Sequence, residues 1–241
     1  MHPANNPTTD GVSPSGLDRR DALKKLAVGG AIAWSAPMIA KTAYAAGPTS
    51  CVTGTVDFNS YATGATFTSA TVNGITMTLE PSVFYGGSAA RATNRTIIGS
   101  PVGGITSKGL RFEQDAVTGG GQEITLTFSQ AVYNVTFFIT DIDNLTGGWT
   151  DRIIILNPTN YTYTVPTGSN VIGAGTATGT TTTTGPFRNS NTNNNYPNSS
   201  GAGNVLIDFP GPLTEFKMRF QCAGQQSSNQ LINLGNISFC G

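Results

Sequence analysis

Four oxygen-bearing residues crowd one short stretch of this chain: Asp141, Asp143, Asn144 and Asp151. The first three end a strongly apolar run that begins at Val135, and Asp151 opens the next one. A loop at 145–150 that folds back would bring Asp151 to Asp143. Oxygen ligands at alternating positions, joined by loop carbonyls, are what Ca²⁺ prefers. These four residues are therefore a candidate metal site, with structural Ca²⁺ as the expected cofactor. The spacing is not that of an EF-hand, which needs a central glycine and a terminal glutamate. The competing reading is that the acids cap turns or pair with Arg152, Arg111 or Arg91.

Aromatic side chains supply the second candidate chemistry, because flat ring faces stack on sugar rings. Tyr61, Tyr85, Trp149, Phe187 and Tyr196 fall in stretches without strand patterning. Trp149, Tyr196 and Phe187 are the candidate ligand-binding residues. Trp149 stands in the acidic loop, so cation and ligand would be neighbours; alternatively its ring plugs the edge of the fold. Catalysis finds little support. The one histidine, His2, lies in a segment expected to be removed, so no His is left as a base for Ser-His-Asp or Cys-His chemistry. A glycoside hydrolase needs two carboxylates facing each other across a cleft. Glu113, Asp115, Glu123, Asp141 and Asp143 are the available acids, and none stands in the Glu-x-Asp-x-x-Glu pattern of sandwich-fold glycanases. No enzyme is expected.

The elements that position these residues are strands. Charged residues make up only 11% of the 241, and Gly, Thr, Ser and Asn are abundant, which suits short strands and turns. Val52 to Phe58 alternates, with Val52, Val56 and Phe58 on one face. Thr66 to Leu79 reads as a hairpin about Asn73-Gly74, a favoured tight-turn pair. Glu123 to Phe128 and Val135 to Asn144 read as a central hairpin, its return strand apolar on both faces and so expected between layers. Arg152 to Leu156, Asn160 to Val165, Val205 to Phe209, Phe216 to Cys222 and Ile232 to Cys240 follow as strands. Roughly nine to eleven strands with frequent turn signals imply an all-β, antiparallel β-sandwich of jelly-roll type. Between them, residues 174–204 form a Thr/Asn-rich stretch too polar to fold alone. It is either a solvated insertion or a ligand-contacting loop.

Asp18-Arg19-Arg20-Asp21-Ala22-Leu23 precedes an apolar run from Leu26 to Ala40 and the small-x-small pattern Ala43-Tyr44-Ala45. This resembles a bacterial twin-arginine export signal, departing from it at Asp18 and Ala22. The run is about 15 residues, short of the roughly 20 that span a bilayer, and Pro37 interrupts it. The expectation is a signal peptide at 1–45 that engages the export machinery and is cleaved after Ala45. One sandwich domain at 46–241 would remain, secreted or at the cell surface, exported folded and without a stable membrane span. That domain carries 8 basic and 10 acidic residues with no basic cluster, so nucleic acid is not an expected partner. Its cysteines are Cys51, Cys222 and Cys240. Cys222 shares parity with Phe216, Met218 and Phe220 and should be a buried thiol. Cys51 and Cys240 oppose the apolar faces of the first and last strands, which are often neighbours, so they are the expected disulfide.

Val56-Asp57-Phe58, Phe67-Thr68-Ser69-Ala70, Ile124 to Ser129, Phe138-Ile139-Thr140-Asp141-Ile142-Asp143, Val205-Leu206-Ile207 and Ile237-Ser238-Phe239-Cys240 together resemble secreted bacterial cell-surface β-sandwich domains. The resemblance covers about residues 51–241. It implies an adhesive, carbohydrate-binding or structural module, and it transfers no site residues. The expected function is a non-enzymatic module that binds glycan or another cell-surface ligand. The alternative is a structural or adhesive envelope protein without a small ligand.

Overall fold

The computed structural model describes residues 51–225 and 227–241; the expected export signal at 1–45 lies outside them. Among the described residues the architecture is all-β, an antiparallel sandwich formed by one strongly curled sheet. The single helical turn there is a 3₁₀ turn at Phe58–Ser60, and no helix is long and apolar enough to cross a membrane.

The organising element is a single strand, Gly121–Thr140, where the sequence pattern predicts a hairpin. Its first half and second half never pair with each other. Residues 121–127 pair with Leu213–Cys222, Leu126 facing Phe216. Residues 135–139 pair with Val205–Phe209, Val135 facing Phe209. Both segments run past the corner together, so a two-stranded ribbon leaves one layer and enters the other. The polar break at Ser129-Gln130 and the left-handed Asn134 (φ +49°), which look like a turn in the sequence, mark the bend. A bent strand that changes sheet is a known way to make a sandwich corner. The strand therefore buries one face at a time. Phe137 and Ile139 are in the core, while Phe138 is only half-buried.

One layer holds Asp151–Asn157, Leu213–Cys222, the first half of the long strand, and the hairpin Ser69–Val72/Ile75–Leu79. Asn73 and Gly74 both take positive φ in that hairpin, as its two-residue turn requires. The other layer holds Thr162–Thr164, Val205–Phe209, the second half of the long strand, Ser227–Leu234 with Ile237–Cys240, and beyond them Gly109–Ala116 and Thr53–Val56. Val52 lies outside the first strand and is exposed. The core between the layers is rich in phenylalanine. Phe137 meets Phe216 at 5.1 Å, and Phe216 meets Phe209 at 5.1 Å between ring centres. Cys51 and Cys240 form the expected disulfide, their Cα atoms 5.4 Å apart, and Cys222 is a buried free thiol.

The described residues contain eighteen strand segments, more than the periodic pattern shows. The surplus comes from pairs of two residues, such as Asn144–Leu145 with Asn193–Asn194 and Val171–Ile172 with Arg188–Asn189. These short ladders tie the Thr/Asn-rich stretch to the sandwich. Arg188 closes its tip, donating to the carbonyls of Thr180, Thr181, Thr184 and Pro186.

Candidate functional site

The long strand ends because Asp141 turns into the left-handed region (φ +67°), a conformation that Asp tolerates better than most residues. Ile142 then anchors the exit in the core, fully buried. Its N–H donates to Gly203 O at 3.1 Å and its carbonyl accepts from Asn189 Nδ2 at 3.0 Å. A Cβ on Gly203 would lie 2.7 Å from Ile142 N, so only glycine permits this approach. Asp143 is clamped to Asp151 twice: its N–H donates to Asp151 Oδ2 at 2.8 Å, and its carbonyl accepts from Asp151 N at 3.0 Å. The loop between them closes on itself, Leu145 N donating to Trp149 O at 2.8 Å.

The expected encounter of Asp151 with Asp143 therefore occurs, but it consumes Asp151. Both oxygens of that carboxylate are occupied, Oδ1 accepting from Gln230 Nε2 at 2.6 Å. Asn144 is likewise committed, its amide donating to Asn189 O and its oxygen accepting from Thr150 Oγ1. Among the described residues no three carboxylate, thiol or imidazole groups converge as a metal-holding set. Of the four proposed ligands, only Asp141 and Asp143 reach an opening. Phe187 is corrected outright: it is fully buried, edge-on to Tyr163 at 5.0 Å, and offers no ring to a ligand.

That opening is a cavity of about 160 Å³ lined by Asp141, Asp143, Trp149, Tyr196 and the amides Asn195, Asn198 and Asn229. It unites two candidates for cation contact with two for ligand contact. The Thr/Asn-rich stretch builds one wall through residues 195–198, Tyr196 half-buried and its neighbours exposed. Tyr196 N donates to Asp143 Oδ2 at 3.0 Å, and Tyr196 Oη accepts from Asn170 Nδ2 at 2.8 Å.

Burial dominates the electrostatics. It pushes the Asp141 carboxyl up to about 7, against the opposing pull of Arg111 and a long hydrogen bond from Asn233 at 3.5 Å. It pushes Asp143 up to about 8, with the charge of Asp141 adding to the rise. Asp151, fully enclosed, is raised well above the usual carboxylate range. Arg111, the arginine whose charge reaches Asp141, belongs to a cluster of ion pairs around Glu113. Arg91 turns to Glu113 and Asp115, and Arg111 to Glu113 at 3.6 Å.

Gln230, Gln114 (whose Nε2 donates to Gln230 Oε1 at 2.9 Å), Asn233 and the wall residues Asn195, Asn198 and Asn229 do not stand out in the sequence as site residues. A signal exists for three polar residues at this end. Gln230 shares parity with Ile232 and Leu234, Gln114 with Leu110 and Phe112, and Asp151 with Ile153 and Ile155. A polar residue at an inward position near a strand end marks where the interior becomes polar.

A second, larger cavity of about 470 Å³ lies beside Ile154, Ile155, Tyr161 and Tyr163, with no charged residue in its wall. Compared with family models, curated proteins and solved structures, the chain finds no match in any of the three.

Proposed function

We propose that this chain is an exported, non-enzymatic β-sandwich module that binds a glycan or another hydroxyl-rich cell-surface ligand at the Trp149–Tyr196 end. One observation carries the reading. The same cavity joins two half-exposed aromatic rings to amides and carboxylates. Rings offer a face for stacking, while amides and carboxylates take hydroxyl hydrogen bonds, the mixture that a sugar ring needs. The twin-arginine pattern and the Cys51–Cys240 bridge support an oxidising destination outside the cytoplasm.

Two carboxylates in a cavity also invite comparison with a glycoside hydrolase. That chemistry needs environments that separate the pair, one acid kept protonated and one ionised as base or nucleophile. Here burial raises both carboxyls, and no environment holds one of the pair low while lifting the other. The test is a glycan-array screen, with and without chelator, of the wild type and Trp149→Ala. Retention of one glycan class by the wild type and its loss in the variant is expected. A blank array supports the structural or adhesive alternative, and release of shortened sugars establishes a hydrolase.

A further inference from the structure

We infer that the cavity at the end of the long strand is a Ca²⁺ site, with Asp141 and Asp143 as its carboxylate ligands and Asp151 as the residue that positions Asp143. The inference shares its cavity with the glycan reading and rests on it only for the cation's use in holding ligand hydroxyls.

The argument starts from an unmade bond. Asp143 is 4% exposed and lines the cavity; its Oδ2 accepts from Tyr196 N, while its Oδ1 is buried with no protein donor. A buried carboxylate oxygen without a partner costs more than an unpaired neutral group does, unless a positive charge offsets it. Asp141 is little better served, its one side-chain donor lying at 3.5 Å. The Oδ1 of Asn233, beside it, is also buried without a donor. Two acidic side chains are thus held in one wall with acceptor capacity to spare. Arg111, whose charge is felt at Asp141, places its ion pair on Glu113 at 3.6 Å.

The opposite wall supplies what a cation needs. Asn195, Asn198 and Asn229 bring amide groups. All available ligand atoms of the right sign are oxygens, and no His or Cys lines the cavity. Oxygen-only sets select hard cations and disfavour zinc and copper. Ca²⁺ accepts six to eight oxygens in variable arrangement, which suits ligands drawn from three separate segments, whereas Mg²⁺ demands near-ideal octahedral geometry. The size agrees. About 160 Å³ has room for a cation with coordinated waters. Asp151 acts behind the ligands. By taking the Asp143 N–H and being held in turn by Gln230, it fixes the direction of the Asp143 side chain.

The test titrates CaCl₂ into the full chain by calorimetry, with MgCl₂ and NaCl at matched ionic strength. Tb³⁺ luminescence, sensitised by Trp149 in the wall, serves as a locator. One saturable Ca²⁺ site and Tb³⁺ emission that Ca²⁺ displaces are expected. Asp141→Asn and Asp143→Asn should each weaken Ca²⁺ at least about tenfold, Asp151→Asn should weaken it with the fold intact by circular dichroism, and Glu215→Gln should leave it unchanged. Trp149→Phe should lower the sensitised emission, Tyr196 in the same wall still contributing, while Ca²⁺ continues to displace Tb³⁺. No heat and no Tb³⁺ emission from the wild type at up to about 10 mM cation overturns the inference. So does undiminished binding in both carboxylate variants. If Ca²⁺ binds and the glycan array stays blank, the cation site stands and the glycan reading falls. If glycan is captured with no Ca²⁺ heat and no response to chelator, the glycan reading stands and the cation site falls.

Discussion

The middle and the far end of one strand obey opposite rules. Around the corner of Gly121–Thr140, the rings of Phe137, Phe209 and Phe216 pack on one another, Phe137 edge-on to Phe216, and all three are buried. A few residues later the inward positions are Thr140, Asp141 and Asp143, facing Gln230 and Asn233, with several buried acceptors left unpaired. Burial stabilises the first region and strains the second. The corner holds the two layers together well enough to let the strand end keep groups that weaken the fold, and such groups gather where a ligand is bound.

The sharpest way to break this comparison is in the corner. Phe216→Ala removes a ring that touches Phe137 and Phe209 and is 1% exposed. It should cost about 3–5 kcal/mol in urea-induced unfolding while leaving ligand affinity per folded molecule unchanged. A smaller loss is expected at the layer edge. Thr53 pairs with Cys240, and the disulfide joins the first strand to the last across 189 residues. Cys51→Ser should lower stability by about 2–4 kcal/mol, matched by the wild type under reductant. If reductant leaves the melting temperature unmoved, the bridge adds nothing to the edge.

Legibility in the sequence follows the same division. Period-two alternation is strong where one face is buried, so Leu126, Phe137, Met218 and Phe220 announce both the strands and the sandwich. Parity also places Cys222 inside and the Cys51–Cys240 bridge at the edge. The continuous crossing of the two layers is hidden, because Ser129-Gln130 reads as a turn whenever partners are unknown; only the pairing of Val205–Phe209 and Leu213–Cys222 along the whole strand distinguishes bend from hairpin. At the site, Asp141, Asp143, Trp149 and Tyr196 stand out by residue type. The loss of Asp151 and Asn144 to internal hydrogen bonds does not, since it depends on Gln230, Thr150 and Asn189 arriving from other segments. Phe187 misleads for a related reason: a lone ring in a polar stretch is as able to anchor that stretch in the core as to face solvent.

The polar end makes a prediction of opposite sign to the core. Asp141 and Asp143 carry folded-state values near 7 and 8, above the ordinary carboxylate value, so the folded chain binds more protons than the unfolded one between about pH 4 and pH 8. Cation-free stability is then greatest at the acidic side of that window and falls as pH rises through it, by about 2 kcal/mol or more. Urea melts at pH 5 and pH 8 in chelator measure it. Asp143→Asn should flatten the slope and raise the stability at pH 8. A stability that climbs with pH over this range would show that the acids are not strained.

Trp149 gives the smallest effect on stability and the cleanest discrimination. The ring is half-exposed at the cavity wall, whereas the loop that carries it is held by main-chain bonds: Leu145 N to Trp149 O, Gly148 N to Leu145 O and Gln225 N to Gly148 O, all between 2.7 and 2.9 Å. None of these needs the indole. Trp149→Ala should therefore shift unfolding by less than about 1 kcal/mol while removing the stacking face and with it the ligand. Together with Phe216→Ala, this pair separates the two functions of the strand, one variant losing stability and keeping recognition, the other the reverse. A Trp149→Ala penalty as large as that of Phe216→Ala would mean that the indole plugs the sandwich, making this end an extension of the core and not a binding surface.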